Sequence, residues 1–181
     1  MRRRELVAGG LAAGVAAAGG AIAYAGWNPL DDGEAVPEFE LRSIEATGSA
    51  DGTVVVPARG SVTFFELFAT SCTVCADLME PMGEVYDEYG EDVQFVSVTN
   101  EPLGQTTTDD DVAAWWADHG GRWTVAHDAD LELTGELQAV GVPYSFVVDE
   151  SNVVTWSDRG YKSADDLREP IEAALDGVGR L

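Results

Sequence analysis

Cys72 and Cys75 are the only cysteines of the chain, and two residues separate them. They close an apolar run, Val62-Thr-Phe-Phe-Glu-Leu-Phe68, that reads as a buried strand breaking at Ala69–Ser71 and opening into a helix. A thiol at the first turn of a helix faces the positive end of the aligned peptide dipoles, which lowers its pKa and favours the thiolate. A second thiol one turn on is within disulfide reach of the first. The chemistry this pattern points to is reversible thiol–disulfide exchange. The alternative is a static staple, but so small a loop removes little entropy from the unfolded chain and would stabilise the fold only weakly.

The elements that must position the pair follow from hydrophobic periodicity. Strands are expected at Phe39–Ile44 and Thr53–Val56 around a hairpin-like turn at Gly48–Gly52, then at Val62–Phe68. A helix over Thr73–Tyr89 contains Pro81, a residue that kinks helices. A buried strand at Val93–Val98, a polar loop at Glu101–Thr108 and an Asp-capped helix over Asp109–His119 come next. The remaining expectations are a short strand at Trp123–Ala126, a helix over Leu131–Ala139, a hairpin of Tyr144–Asp149 with Val153–Ser157, and an amphipathic helix over Ala164–Leu175. Strand and helix alternate and a hairpin follows late, which describes an α/β sandwich around a mixed sheet.

The 181 residues accommodate one domain and a short extension. Arg2, Arg3 and Arg4 precede an uncharged Ala- and Gly-rich stretch from Leu6 to Gly26. Arg3-Arg4-Glu5-Leu6-Val7 looks like a twin-arginine export signal, and Ala21, Ala23 and Ala25 offer small-residue cleavage sites. An Ala-rich helix of the fold is the alternative. The expected organisation is therefore a signal peptide or membrane anchor at 1–27, a linker at 28–36 and a folded domain at 37–181. Export agrees with the cysteine count, because paired cysteines persist in oxidising compartments. The chain holds 33 acidic and 10 basic residues, a net charge of −23. Such a surface repels nucleic acid and anionic lipid headgroups. Acid this dispersed, with few lysines, resembles adaptation to high salt; an ordinary acidic protein is the plainer reading.

The order of elements and the segment Phe68-Ala-Thr-Ser-Cys-Thr-Val-Cys75 resemble the thioredoxin fold, and more closely the exported, often membrane-tethered TlpA/ResA-type thiol:disulfide oxidoreductases. Val140-Gly-Val-Pro-Tyr-Ser-Phe-Val-Val-Asp149 looks like that family's cis-proline strand, so the resemblance spans residues 37–178. It implies a thioredoxin-like sandwich with an N-terminal β-hairpin extension. It implies that Cys72 is the exposed nucleophile, that Cys75 resolves the mixed disulfide, and that Pro143 is a cis-proline facing the pair. The Val142 amide and carbonyl would then pair with a substrate strand; a trans proline opening a strand is the alternative.

Glu66 interrupts an otherwise apolar strand, six residues before Cys72, where thioredoxins place a buried aspartate. Alternation puts it on one face with Phe64 and Phe68. A buried carboxyl has a raised pKa, and a proton relay to Cys75 is its expected role; a solvent-facing strand-edge Glu is the alternative. The implied partners are thiols and disulfides of exported proteins, apocytochromes during haem attachment among them, with electrons from a membrane-bound thiol reductant. No metal or other cofactor is called for.

Departures from the family pattern are Ser71 and Val74, where Trp and Pro are usual, and Leu78, where an acidic residue is usual. Asp77 and Glu80 are nearby without the right spacing. They leave the direction of electron flow open. Two other readings compete. A copper carrier would use Cys72, Cys75, His127 and Met79 as soft ligands, although carriers of this fold use a cysteine pair one residue further apart. A redox-inactive scaffold would keep only the fold. His119 lies far from His127 in sequence, and Trp115, Trp116 and Trp123 read as core or groove wall.

Overall fold

The computed structural model describes residues 33–178. Its elements are β1 (Phe39–Ser43), β2 (Gly52–Val56), β3 (Val62–Phe68), α1 (Thr73–Tyr89), β4 (Val93–Thr99), α2 (Asp109–Asp118), β5 (Thr124–His127), α3 (Glu132–Glu136), β6 (Tyr144–Val148), β7 (Val154–Arg159) and α4 (Ala164–Val178). The seven strands form one mixed sheet in the order β2-β1-β5-β4-β3-β6-β7. The crossovers through α1 and α2 return the chain to the same end of the sheet, so β3, β4 and β5 run parallel. β6 pairs antiparallel with β3, β7 with β6, and the β1–β2 hairpin joins at β5. This is the thioredoxin-like sandwich with its N-terminal hairpin.

β3 lies inside the sheet, and all seven of its residues are buried. Covered on both faces, it has to be apolar on both, which is why the sequence shows a continuous run rather than an alternation. Phe64 and Phe68 enter one core with Cys75, Leu78, Met82 and Trp116. Phe65 and Leu67 enter the other with Val98, Leu133 and Phe146. Each such side chain contributes about 1.5–3 kcal/mol by leaving water. The C-terminal end of β3 is thus clamped from both sides.

Several boundaries differ from the sequence reading. α2 is capped by Thr108, not Asp109: the Thr108 hydroxyl accepts the Asp111 N–H while the Asp111 carboxylate takes the Thr108 N–H, a capping box. α3 is shorter than 131–139. The buried Asp128 carboxylate holds the Thr134 N–H at 2.9 Å and its hydroxyl at 2.6 Å, which sets the start. Gln138, at φ 49°, turns the chain out of the helix. β5 begins after Trp123, and β7 extends to Arg159. Val36, expected in the linker, is buried and its N–H donates to the Asn152 carbonyl at 2.8 Å. The export-signal segment 1–27 lies outside the described residues. Among the described residues no helix is long and apolar enough to cross a membrane.

Candidate redox-active site

β3 delivers the chain to a turn in which the Cys72 N–H donates to the Ala69 carbonyl at 3.0 Å. Glu101, just past β4, fixes that turn from the side. Its carboxylate accepts the Thr70 N–H at 2.8 Å, the Thr70 hydroxyl at 2.9 Å and the Thr99 hydroxyl at 3.1 Å. Cys72 is then the N-cap of α1, with an extended backbone, and its sulfur accepts the Cys75 N–H at 3.1 Å. Cys72 and Cys75 are joined by a disulfide with Cα atoms 5.2 Å apart. The two sulfurs live in different surroundings. Cys72 is half-buried at the rim, whereas Cys75 is fully buried in the core. The first turn of α1 carries no acidic residue of its own to offset the positive end of its dipole beneath Cys72. Leu78 is buried, and Asp77 and Glu80 point to solvent.

Glu66 is fully buried. Register sets it beside Ser97 of β4 and Ser145 of β6. Ser97 donates to its Oε2 at 3.3 Å, and among the described residues Oε1 has no partner. Burial pushes the Glu66 carboxyl up from 4.5 to about 8, and the Ser97 hydrogen bond opposes that rise. The solvent-facing alternative is thereby removed. The carboxyl shares its sheet face with the core that holds Cys75.

The Val142–Pro143 peptide is cis, as is Val56–Pro57, for which the sequence carried no signal. Pro143 is buried, and Val142 and Cys72 each pack against the same apolar core. The β3 and β7 ladders onto β6 both stop at Tyr144, so Val142 lies outside them. β7 ties down this loop: Arg159 donates to the Val140 carbonyl at 3.0 Å and lies 5.2 Å over the Tyr144 ring. The Gly160 N–H donates to the Pro143 carbonyl at 3.0 Å.

His127 is held away from metal-ligand duty. A guanidinium only donates, so the Arg42 contact at 3.5 Å makes His127 Nδ1 the acceptor, and Nε2–H donates to the Glu101 carbonyl at 2.9 Å. Arg42 also forks onto Asp109 at 2.8 and 2.9 Å and holds that carboxyl below its usual range. Met79 is buried in the core, and the His119 ring lies tilted against Trp115, which itself stacks on Phe68. Among the described residues no group of three or more His, Cys, Asp or Glu is placed to hold a metal ion. The sequence reading missed Glu101 and Thr70. Parallel pairing of β3 with β4 was the signal available, since it brings the two strand ends together.

Fold and paired cysteines together define a thioredoxin-like thiol:disulfide oxidoreductase. A family model described as Redoxin matches residues 31–175, and the chain belongs to that family. No curated protein matches it significantly. Among solved structures it is similar to a protein described as a thiol:disulfide interchange protein DsbE from Chlorobium tepidum, at 26% identity and a TM-score of 0.67, over 81% of this chain and 99% of that one. It is also similar to StoA from Bacillus subtilis, at 21% identity and a TM-score of 0.63, over 76% of this chain and 98% of that one. The exposed lipoprotein thioredoxin of Streptococcus pneumoniae shares the fold at 16% identity and a TM-score of 0.63, over 76% and 99%.

Proposed function

We propose that this protein exchanges electrons with cysteines of other exported proteins, in the reducing direction. The Cys72 thiolate attacks one sulfur of a substrate disulfide. A Cys72–substrate bond forms, the substrate S–S bond breaks, and the displaced sulfur leaves as a thiolate. Cys75 gives its proton to ionised Glu66 and attacks the Cys72 sulfur. The second substrate thiolate leaves as the Cys72–Cys75 disulfide closes. The substrate has gained two electrons, and a membrane-bound thiol reductant restores them to the pair. The Val142 backbone, free of the β6 ladders, pairs with the substrate strand, and Pro143 holds that loop. Apocytochrome cysteines awaiting haem are one substrate class that fits.

The observation that carries this reading is the unequal burial of the two sulfurs, one at the rim and one in the core. The arginine-rich start followed by an apolar stretch supports an address outside the cytoplasm. So does the likeness to a Streptococcus pneumoniae protein described as an exposed lipoprotein. Insulin reduction tests the chemistry. Cys72→Ser should abolish it, and Cys75→Ser should accumulate mixed disulfides. Undiminished activity in Cys72→Ser would refute the proposal.

A further inference from the structure

Glu66 belongs to a buried polar chain that runs from β3 through β4 to Trp123, the residue just before β5. The Trp123 indole N–H donates to Ser97 Oγ at 3.0 Å, and Ser97 Oγ lies 3.3 Å from Glu66 Oε2, both contacts being buried. An indole N–H can only donate, so in the first contact Ser97 is the acceptor. The Ser97 hydroxyl has a single proton, and Glu66 Oε2 is the acceptor it meets. If Glu66 donated to Ser97 instead, that hydroxyl proton would be left unpaired inside a packed core, at a cost comparable to a lost hydrogen bond. Among the described residues Oε1 has no hydrogen-bond partner, and neither does the Ser145 hydroxyl one strand over.

We propose that Trp123 and Ser97 are positioning residues for Glu66: the indole occupies the Ser97 oxygen, turns its hydroxyl proton onto Oε2, and leaves Oε1 as the oxygen that takes up and releases the proton. The inference rests on the reading of Glu66 as the proton acceptor for Cys75. It adds how a carboxyl with no cation beside it is kept able to ionise. Burial opposes the charge, and a hydroxyl locked in the donating sense favours it. A freely rotating serine would also solvate the neutral acid and lose that bias. Trp123 is itself fixed, packed edge-on against Trp116 at 5.0 Å and beside Tyr86 at 5.4 Å. The titratable and charged side chains around this core include Cys75 within it, Cys72, Tyr86 and Tyr89 at its margin, His119 against Trp115, Arg122 over the Tyr86 ring and Glu172 bonded to the Tyr89 hydroxyl. Among the described residues, burial and the Ser97 hydroxyl shift the Glu66 carboxyl, and no charged side chain does.

The test is a carbon-13 carboxyl NMR titration of Glu66 in the reduced full-length chain, run beside the pH profile of mixed-disulfide resolution. Ser97→Ala should move the Glu66 midpoint upward by about one pH unit, the worth of one hydrogen bond to a charged group. Trp123→Phe should move it in the same direction by less. Ser97→Thr, which keeps the hydroxyl in a strand-favouring residue, should restore the wild-type midpoint. The Ser97 pair decides the question even if Trp123→Phe does not fold. An unmoved midpoint in Ser97→Ala overturns the positioning role. A moved midpoint with an unmoved resolution profile upholds that role and refutes the relay to Cys75.

Discussion

The Cys72 sulfur accepts the backbone N–H of Cys75 at 3.1 Å, so the rim cysteine caps the helix that carries the buried one. One contact thereby serves structure and chemistry. As a cap it satisfies an N–H that would otherwise lack a partner at the helix start. As a hydrogen bond from a helix N-terminus it favours a negative sulfur once the disulfide opens.

That double duty separates by substitution. Serine is a strong N-cap, so Cys72→Ser should stay folded, within about 1 kcal/mol of the reduced wild type. Cys72→Ala should lose roughly 1 kcal/mol more. Urea unfolding of the reduced proteins reads the difference. Equal stability of the two variants would show that the cap contributes nothing.

Glu66 makes stability depend on pH with a definite sign. Its folded carboxyl titrates at about 8 against an ordinary 4.5, so between those values the folded chain holds a proton that the unfolded chain has released. The contribution is full below about 4.5, declines by up to about 1.4 kcal/mol per pH unit as pH rises, and is gone above about 8. Relative to Glu66→Gln, which does not titrate, wild-type Tm should fall steadily from pH 5 to 8 and then level off. A difference that stays constant with pH would place the charge elsewhere.

Glu101 should matter through Thr70. Glu101→Ala strands the Thr70 N–H and hydroxyl, loosens the turn before Cys72, and should destabilise the fold by roughly 1–2 kcal/mol. It should also slow Cys72 labelling at neutral pH several-fold. Glu101→Gln keeps an acceptor for the N–H and a donor toward the Thr70 oxygen, so labelling should recover. If both variants label alike, the charge of Glu101 rather than its geometry governs the site.

The acidic surface predicts a salt response. With 33 acidic against 10 basic residues, self-repulsion dominates over exposed ion pairs such as Arg42–Asp109 and Arg122–Asp87, each worth about 0–1 kcal/mol. Raising salt from 0.1 to 1 M shortens the screening length from about 10 to about 3 Å. The thermal midpoint should therefore rise over that range; a fall would mean the pairs outweigh the repulsion.

How much of this was legible in the sequence depended on whether a signal was local. β3, α1 and the face holding Phe64, Glu66 and Phe68 followed from periodicity, because one strand buried on both sides leaves a continuous apolar run. The burial of Glu66 was expected on the same ground. The start of α3 was not readable: it is set by Asp128, a carboxylate outside the helix that reaches in to Thr134. Glu101 and Ser97 were silent for a related reason. Each acquires its role from a residue about thirty positions earlier, Thr70 or Glu66, and only the parallel pairing of β3 with β4 brings them together.

The most direct measurement is competitive alkylation of the reduced protein with limiting iodoacetamide across pH 5–9, with the labelled cysteine located by peptide mass spectrometry. Cys72 should be labelled first, with a midpoint below the ordinary thiol value of about 8.5, while Cys75 stays protected until the chain is unfolded. Preferential labelling of Cys75, or a Cys72 no more reactive than an unperturbed thiol, would contradict the assignment of Cys72 as the attacking sulfur.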